Sequence, residues 1–384
     1  MNILIIGGTG TISKGIADAA VEANHNVTIA NRGTASFRNP KGCEVITADI
    51  NNIPDFEKRF GDTNYDVIVD PLTMNLAQLK TRIAFFSRHC KKYVFISSVC
   101  AIGDGEGLVN EDSPKHPEWS YGVAKLECEE YLKNNPYGLE YTILRPSITY
   151  GDIRIPIPVA CRRNPYTVLD RIIRDKPLVC FHLSEEYNRM HKLMDVSDFG
   201  KYVVALFEKS VSSNNDYIIC SDQAYSWDEA YDCLYAKMGK RKNLYQVDLD
   251  AFRMIEPSLY DDLLYDKAAS NVLYSKEKCK RDSGLVLREI PLNQGICSLV
   301  DYLTMCYQNL PLEEEYNLMT DYVLLHYARR DENLEEYLSS LSESYCSKVE
   351  EYYKCKMKAY KTQQSLFRRS LRYVKRNVFR IIGR

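Results

Sequence analysis

The chain has 384 residues, of which 45% are hydrophobic and 27% are charged. This size and composition exclude a small disulfide scaffold and a disordered chain, and suit either one large α/β domain with additions or two domains. The net charge of -2 conceals an asymmetry, because residues 352–384 hold eleven Lys and Arg without any Asp or Glu. Residues 1–351 therefore carry 39 basic against 52 acidic side chains.

The start of the sequence and its cysteines predict a cytoplasmic protein. Met1 leads directly into an apolar strand pattern without the features of a secretory signal, and no apolar run reaches the roughly 18 residues that would span a bilayer. Thirteen cysteines without CxxC pairs indicate reduced thiols, and we predict no metal site.

Short runs rich in Val, Ile and Tyr alternate with helical patterns through the first half of the chain. This alternation is typical of βαβ units and predicts an α/β fold with a doubly wound parallel Rossmann sheet. Residues 152–300 are less regular and include a predicted helix from Val196 to Lys209. The predicted strands are Ile3–Ile6, Asn26–Ala30, Cys43–Thr47, Asp66–Val69, Tyr93–Ile96 and Tyr141–Leu144.

A glycine-rich turn follows the first predicted strand and precedes a predicted helix, Lys14 to Ala23. Gly7 permits a tight turn, Gly10 lets the backbone approach a pyrophosphate, and the helix N-terminus supplies free N–H groups. Ser13 replaces the usual third glycine but is small. The turn predicts a dinucleotide site, although an ordinary strand-to-helix turn is the alternative. Its predicted cofactor contacts are Gly7, Thr9, Gly10, Thr11 and Ile12.

The ends of the second and third strands suggest which dinucleotide is bound. Asn31 and Arg32 stand where a carboxylate would accept bonds from the ribose hydroxyls, and a guanidinium there favours the phosphate of NADP over NAD. Arg32 facing solvent is the alternative. Asp49 and Ile50 are placed to meet the adenine edge, although Asp49 could equally form a turn.

A YxxxK spacing predicts an acid/base tyrosine, because a lysine one helical turn away favours the phenolate and lowers the tyrosine pKa. Tyr121 and Lys125 alone among the matching pairs follow an apolar strand ending in hydroxyls, at Ser97-Ser98. The other two pairs are better interpreted as charged helix surface. They are Tyr274 with Lys278 and Tyr352 with Lys356.

In these motifs, which occur in order over about residues 1–300, the chain resembles the extended short-chain dehydrogenases/reductases that include nucleotide-sugar epimerases and dehydratases. The resemblance implies Ser98 as the oxygen-binding hydroxyl, Tyr121 as acid/base, and Lys125 as its pKa-lowering and ribose-binding partner. The matching segments are Gly7 to Ser13, Asp49-Ile50, Ser97 to Gly103, Tyr121 to Lys125, Leu144 to Gly151 and Met194 to Asp198.

The resemblance also implies further ligand contacts, and it has departures. Val99-Cys100 replace the Asp-Glu pair of sugar dehydratases, which argues against dehydration, and Asp70-Pro71-Leu72 replace a small Ala-rich strand end. Cofactor contacts are expected at Pro146 and Ile148. Expected substrate contacts are Cys100, Ser147, Arg162, Arg163 and Arg189.

The expected activity is that of an NADP-dependent oxidoreductase or epimerase on a nucleotide-activated sugar, with Tyr121 exchanging a proton with a sugar hydroxyl. NAD remains possible as the cofactor, and a homodimer is possible. The alternative is a non-catalytic NAD(P)-binding regulator or RNA-binding relative of the same fold, against which the intact Ser98, Tyr121 and Lys125 argue. We expect no nucleic-acid partner.

The implied domain is 1–300, with 1–151 mainly dinucleotide-binding and 152–300 a smaller, mainly substrate-binding subdomain. Residues 301–351 are predicted to form an acidic helical extension with one apolar stripe, capped at Asp331. Residues 352–384 contain a predicted basic amphipathic helix over 363–382, suited to an anionic membrane surface or a protein partner. The stripe residues are Leu334, Leu338, Leu341, Tyr345, Val349 and Tyr352.

Overall fold

In a computed structural model, strands from Asn2 to Ile219 form a seven-stranded parallel sheet in the order β3-β2-β1-β4-β5-β7-β11. The structure describes residues 1–103, 107–183, 190–253, 255–268, 272–359 and 361–362. The strand order reverses between β1 and β4, which opens a crevice at the carboxyl ends of these strands. The strands are β1 (Asn2–Ile6), β2 (Asn26–Asn31), β3 (Glu44–Thr47), β4 (Tyr65–Asp70), β5 (Cys90–Ile96), β6 (Leu108–Val109), β7 (Glu140–Pro146), β8 (Ile148–Tyr150), β9 (Leu178–Phe181), β10 (Leu193–Asp195), β11 (Asn215–Ile219), β12 (Leu244–Val247) and β13 (Leu273–Tyr274).

Helices cover both faces of this sheet, as the doubly wound prediction requires. Ile3 and Ile5 of β1 join a core beneath α1 and α6, whereas Leu4 and Ile6 join a second core on the opposite face. All six predicted strands are present. The helices are α1 (Thr11–Glu22), α2 (Ile53–Phe60), α3 (Leu76–Phe86), α4 (Ser120–Lys133), α5 (Tyr166–Ile173), α6 (Val196–Phe207), α7 (Trp227–Lys237), α8 (Asp250–Arg253), α9 (Pro257–Asp262), α10 (Glu277–Ser283), α11 (Leu292–Tyr307), α12 (Glu314–Tyr327) and α13 (Glu332–Ser339).

The second half of the chain builds a separate hydrophobic core. It contains the parallel pairs β8–β10 and β9–β12 and buries apolar side chains from Tyr150 to Val349. Helix α11 runs across the expected boundary at residue 300, and α12 contributes Tyr316, Val323 and Leu324 to the same core. The helices after residue 300 are thus packed into this same core. We call it the substrate-side core, after the role expected for residues 152–300.

The predicted apolar stripe exists, but it is not on one helix. Asp331 caps α13, accepting a hydrogen bond from the Leu334 N–H at 2.8 Å. Helix α13 ends at Ser339, and a new helical stretch covers 343–359, so the prediction of a single helix was wrong. Every stripe residue nevertheless belongs to or packs against the substrate-side core.

The beginning of the basic segment lies against the body of the protein. Lys356 forms ion pairs with Glu256 at 2.9 Å and Glu315 at 2.5 Å. The predicted basic helix over 363–382 lies outside the described residues. Within the part of the chain that the structure describes, no helix combines the length and apolarity needed to cross a membrane.

Candidate active site

The glycine-rich turn has the geometry of a cradle at the N-terminus of α1. Gly7 and Gly8 adopt φ values of +106° and +90°, which favour glycine. A Cβ at Gly10 would meet only the Ser13 hydroxyl, at 3.3 Å, so the missing side chain leaves the helix end open. The first turn of α1 carries no acidic residue. The turn, with Thr9 and Thr11 in it, therefore fits the pyrophosphate of a dinucleotide.

Close packing of α1 depends on two glycines that the motif did not identify. The Ser13 hydroxyl accepts a hydrogen bond from the Gly10 N–H at 3.1 Å and so stays within the turn. Two residues further, a Cβ at Gly15 would lie 2.6 Å from the Val196 carbonyl oxygen, and a Cβ at Gly200 would lie 2.2 Å from the Gly15 carbonyl oxygen. The α1–α6 contact is thus made by backbone, which fixes the orientation of the cradle.

At the end of β2, the side chain of Asn31 is occupied by the protein itself. Its Oδ1 accepts from the Gly33 N–H at 2.8 Å and its amide donates to Asn39 at 3.2 Å. Arg32 is exposed beside it. The structure thus leaves the Arg32 guanidinium accessible to a ligand, and it gives Asn31 a turn-forming role where we had expected a cofactor contact.

At the end of β3, Asp49 has the turn-forming role that we considered as its alternative. Its Oδ1 accepts from the Asn51 N–H at 2.9 Å and from the Asn51 side-chain amide at 3.1 Å. Ile50 is buried in the core beneath α2 and α3. The predicted adenine contacts therefore also shape the loop that carries them.

The structure brings Ser98 and Tyr121 together. Ser98 begins a 3-10 helix, Val99–Ala101, where its Oγ accepts from the Cys100 N–H at 3.1 Å, and its side chain lies near enough to Tyr121 to lower the pKa of that tyrosine. Gly122 allows this approach, because a Cβ there would lie 2.2 Å from the Cys100 carbonyl oxygen. The glycine after the tyrosine therefore lets α4 press directly on the serine-bearing turn.

Lys125 lies beneath Tyr121 and is only 1% exposed. Its Nζ donates to the carbonyl oxygens of Thr73 at 2.7 Å and Ile96 at 2.9 Å. The same Nζ is 5.7 Å from the centre of the Tyr121 ring. Two of the three ammonium donors are thus held by the main chain, which fixes the charge under the tyrosine.

The pKa of Tyr121 differs from our prediction. Burial raises this pKa well above its usual range, the charge that Cys100 can carry raises it further, and the nearby Ser98 side chain opposes both. Burial thus outweighs the lowering that we expected from Lys125. Burial also lowers the pKa of Lys125 to about 8. In this arrangement Tyr121 is a protonated donor near neutral pH.

A cleft with about 810 Å³ of empty space joins the predicted residues to others that sequence reasoning missed. An adjoining cavity shares Cys100, Ser147 and Ile148 with it. The Ser147 hydroxyl donates to the Lys192 carbonyl oxygen at 2.8 Å. The predicted residues in the cleft are Ile12, Ser98, Cys100, Tyr121, Lys125, Pro146, Ser147 and Ile148.

Three missed residues line this cleft or the cavity that adjoins it. Trp119 stacks with Tyr265 at a centroid distance of 6.3 Å and an interplanar angle of 11°, and its ring lies 4.9 Å from that of Tyr121. The Cys100 thiol hydrogen-bonds Asp266 Oδ1 at 3.7 Å. Trp119, one of two tryptophans and close to Tyr121 in sequence, could have been suspected. Tyr265 and Asp266 left no signal, since they meet the site only in three dimensions.

Two of the three arginines predicted for the substrate phosphates, Arg162 and Arg163, do not line the cleft. Arg162 pairs with Asp262 at 3.6 Å, and Arg163 pairs with Glu315 at 3.8 Å. Both line a different cavity, against the helices after residue 300. The structure thus places both arginines beside carboxylates outside the cleft, and a substrate contact by either remains a prediction. Arg189 lies outside the described residues.

The two competing YxxxK pairs lie outside the cleft that holds Tyr121, but they are not the charged helix surface that we had expected. Tyr274 ends strand β13 and lines the adjoining cavity. The Lys278 ammonium donates to Asn215 Oδ1 at 2.6 Å and lies over Tyr217, away from Tyr274. Tyr352 and Lys356 pack against the substrate-side core and its acidic surface. Tyr121 is therefore the tyrosine of the three that stands beside both its lysine and a serine.

Comparisons with known proteins agree with this geometry. A family model described as the NAD dependent epimerase/dehydratase family matches residues 3–220, more than half of the chain. A "Putative UDP-glucose 4-epimerase" of Methanocaldococcus jannaschii is 31% identical over 183 residues, covering 40% of this chain and 58% of that protein. The 2'-dehydrokanamycin reductase of Streptomyces kanamyceticus is 25% identical over 137 residues, covering 35% and 38%. The chain thus spans well under two thirds of either relative.

Solved structures share the fold over most of the chain. The UDP-glucose 4-epimerase of Thermotoga maritima, solved with UDP-glucose, superimposes with a TM-score of 0.63 at 18% identity, covering 79% of this chain and 99% of that one. The UDP-glucuronic acid 4-epimerase of Bacillus cereus, solved with UDP-glucuronic acid and NAD, gives 0.64 at 17% identity, covering 80% and 100%.

Proposed function

The chain belongs to the NAD dependent epimerase/dehydratase family, and from this membership we propose that it is an epimerase acting on a nucleotide-activated sugar. The observation that carries the proposal is the convergence of Ser98, Tyr121 and Lys125 on one cleft. That cleft begins at Ile12, directly after the glycine cradle. The sugar-nucleotide 4-epimerases with the same fold support the substrate class.

Each residue has a task in this reaction. A nicotinamide dinucleotide, when bound, supplies reversible hydride acceptance. The Tyr121 hydroxyl exchanges a proton with the sugar hydroxyl or ketone, and Ser98 donates a hydrogen bond to the same oxygen. The Lys125 ammonium stabilises negative charge on the tyrosine while the proton is away. The raised pKa of Tyr121 suits proton donation. The tyrosine is therefore protonated when the ketone is reduced to the alcohol.

A net reductase is the second candidate. The partial match to 2'-dehydrokanamycin reductase favours it, since that protein's name describes one-way reduction. The two activities differ in their net use of cofactor. An epimerase returns the cofactor unchanged, whereas a reductase consumes one reduced cofactor per product. Product analysis with a trace against a full equivalent of cofactor separates them.

Replacement of Tyr121 by Phe tests the assigned acid/base. We expect a loss of at least about 100-fold in kcat, the usual contribution of a positioned acid/base, with cofactor affinity within twofold of the unaltered protein. Tyr352→Phe is the matched control, because this tyrosine also precedes a lysine by four residues but lies outside the cleft. Turnover that survives Tyr121→Phe undiminished contradicts the assignment.

We propose further that the preferred cofactor is NADP. The exposed Arg32 and the lack of a carboxylate at the end of β2 support this preference. A guanidinium there can pair with the ribose phosphate, and no acidic group repels it.

A further inference from the structure

A buried aspartate, Asp70, ends β4 directly beneath the cleft. In the sequence it is notable only because it replaces the small Ala-rich strand end of the family. Asp70 is 0% exposed. Its carboxylate accepts from the Leu72 and Thr73 N–H groups at 2.8 and 3.0 Å, and from the Thr73 hydroxyl at 2.8 Å. The Tyr93 hydroxyl donates to it at 2.9 Å from β5. These bonds fold residues 70–73 into one fixed turn.

Arg82 of α3 neutralises this carboxylate. Its Nη1 lies 3.2 and 3.3 Å from the two Asp70 oxygens and donates to the Thr73 hydroxyl at 2.9 Å. The side chain is 2% exposed, and its second terminal nitrogen donates to Asn51 Oδ1 at 3.1 Å. Thr73 is therefore clamped from two sides by opposite charges.

The clamped residue contacts the catalytic lysine. The Thr73 carbonyl oxygen accepts from the Lys125 Nζ at 2.7 Å, whereas the Ile96 carbonyl oxygen accepts from it at 2.9 Å. Asp70 and Arg82 are thus one residue removed from Lys125, and neither of them lines the cleft itself.

We propose that Asp70 and Arg82 are positioning residues for Lys125, which hold its ammonium beneath Tyr121 through Thr73 and balance its charge. The inference rests on the proposed function only for what Lys125 does in catalysis. The positioning itself is a property of the folded chain and can be measured without turnover.

The charges around Lys125 predict the direction in which each substitution should shift its pKa. Burial lowers the pKa of Lys125 to about 8, whereas Asp70, Cys128 and Glu129 raise it and Arg82 lowers it. The other neighbours are the Tyr121 and Phe95 rings, and Glu129 is itself paired with Arg145 at 2.6 Å. Loss of Asp70 leaves an uncompensated guanidinium near the ammonium, and loss of Arg82 leaves an uncompensated carboxylate.

The test is the Lys125 pKa, measured by NMR titration of the side-chain carbons in protein labelled at lysine. Lys125→Met identifies the signal. We expect Asp70→Asn to lower this pKa and Arg82→Gln to raise it, each by at least about half a unit, because a buried neighbouring charge commonly shifts a pKa by one unit or more. The double variant should return towards the original value. Shifts in the same direction, or none, overturn the proposal.

Asp321→Asn is the matched control, since Asp321 forms an equally buried pair with Arg171 in the substrate-side core. It should leave the Lys125 signal unchanged even though it destabilises the protein. If Asp70→Asn fails to fold, Arg82→Gln alone tests the proposal. A Lys125 pKa that does not rise in Arg82→Gln contradicts the proposed charge balance.

A second readout connects the pair to catalysis. The alkaline limb of the kcat/KM profile, where Lys125 loses its proton, should move to lower pH in Asp70→Asn and to higher pH in Arg82→Gln. If the NMR order holds but no sugar nucleotide is turned over, the proposed function fails while the positioning proposal stands. If turnover is found and its profile ignores both variants, the positioning proposal fails.

Discussion

Two buried arginine–aspartate pairs, one in each half of the molecule, have nearly the same chemistry and different surroundings. Arg82 and Asp70 lie 3.2 Å apart with side chains 3% and 0% exposed, and Arg171 and Asp321 lie 2.7 Å apart with side chains 1% and 2% exposed. The first pair lies under the cleft at the end of β4. The second joins α5 to α12 inside the substrate-side core.

The partners of each pair determine what it can do. Arg171 also donates to the Pro177 carbonyl oxygen at 2.8 Å, and Asp321 accepts from the Tyr337 and Tyr345 hydroxyls, both at 2.7 Å. These bonds tie the helices after residue 300 to the subdomain. The Asp70 network ends at Lys125. A buried ion pair is therefore structural or functional according to the group that it holds, and its own geometry does not distinguish the two.

The largest expected effect is on stability, in the substrate-side core. Asp321→Ala should lower the free energy of unfolding by about 3–5 kcal/mol, because it leaves the Arg171 guanidinium buried without its countercharge. Urea unfolding measures this loss. Asp301→Ala, which breaks an exposed pair with Lys237, should cost less than about 1 kcal/mol. Equal losses in the two variants would contradict the contrast between buried and surface pairs.

Asp321→Ala also sharpens the comparison between the halves. Folded protein carrying this change should bind the dinucleotide within twofold of the original affinity, since the pair is confined to the substrate-side core. A loss of cofactor binding that exceeds the loss of folded protein would show that the two halves are coupled, and would remove the functional difference between the two ion pairs.

Substitutions of two glycines in the nucleotide-binding half should affect different properties, one the stability of the protein and the other its dinucleotide affinity. Gly200→Ala places a Cβ 2.2 Å from the Gly15 carbonyl oxygen and should cost about 1–3 kcal/mol through overpacking. Gly10→Ala meets only the Ser13 hydroxyl in the protein, so it should change stability little and weaken dinucleotide binding about tenfold, equivalent to 1.4 kcal/mol. Melting temperature and cofactor titration measure the two effects. If Gly10→Ala lowered stability and Gly200→Ala weakened dinucleotide binding, the turn at Gly10 would not be the dinucleotide site.

The smallest expected effect concerns cofactor choice. Arg32→Ala should raise the Kd for NADP about tenfold, because a charge-assisted bond at an exposed site is lost, and leave the Kd for NAD within twofold. Lys41→Ala is the control, because Lys41 is an exposed basic residue later in the same β2–β3 connection. Equal weakening of both cofactors would show that Arg32 supports the loop and does not select the phosphate.

The sequence predicted the features that depend on neighbours along the chain. The six strands, the glycine cradle, the cap at Asp331 and the choice of Tyr121 over two competing tyrosines each follow from a periodicity or a spacing of a few residues. Local patterns of this kind persist because backbone geometry imposes them before any distant contact forms.

Only the tertiary structure decided which distant charges meet. Arg162 and Arg163 looked available in sequence, yet carboxylates from α9 and α12 engage them. Asp70 looked like a departure at a strand end, yet it clamps the residue that holds Lys125. By itself the sequence determined the sheet, the cradle and the serine, tyrosine and lysine of the site. The fold decided their electrostatics, because a pKa depends on burial and on charges that lie close in space however far apart they are along the chain.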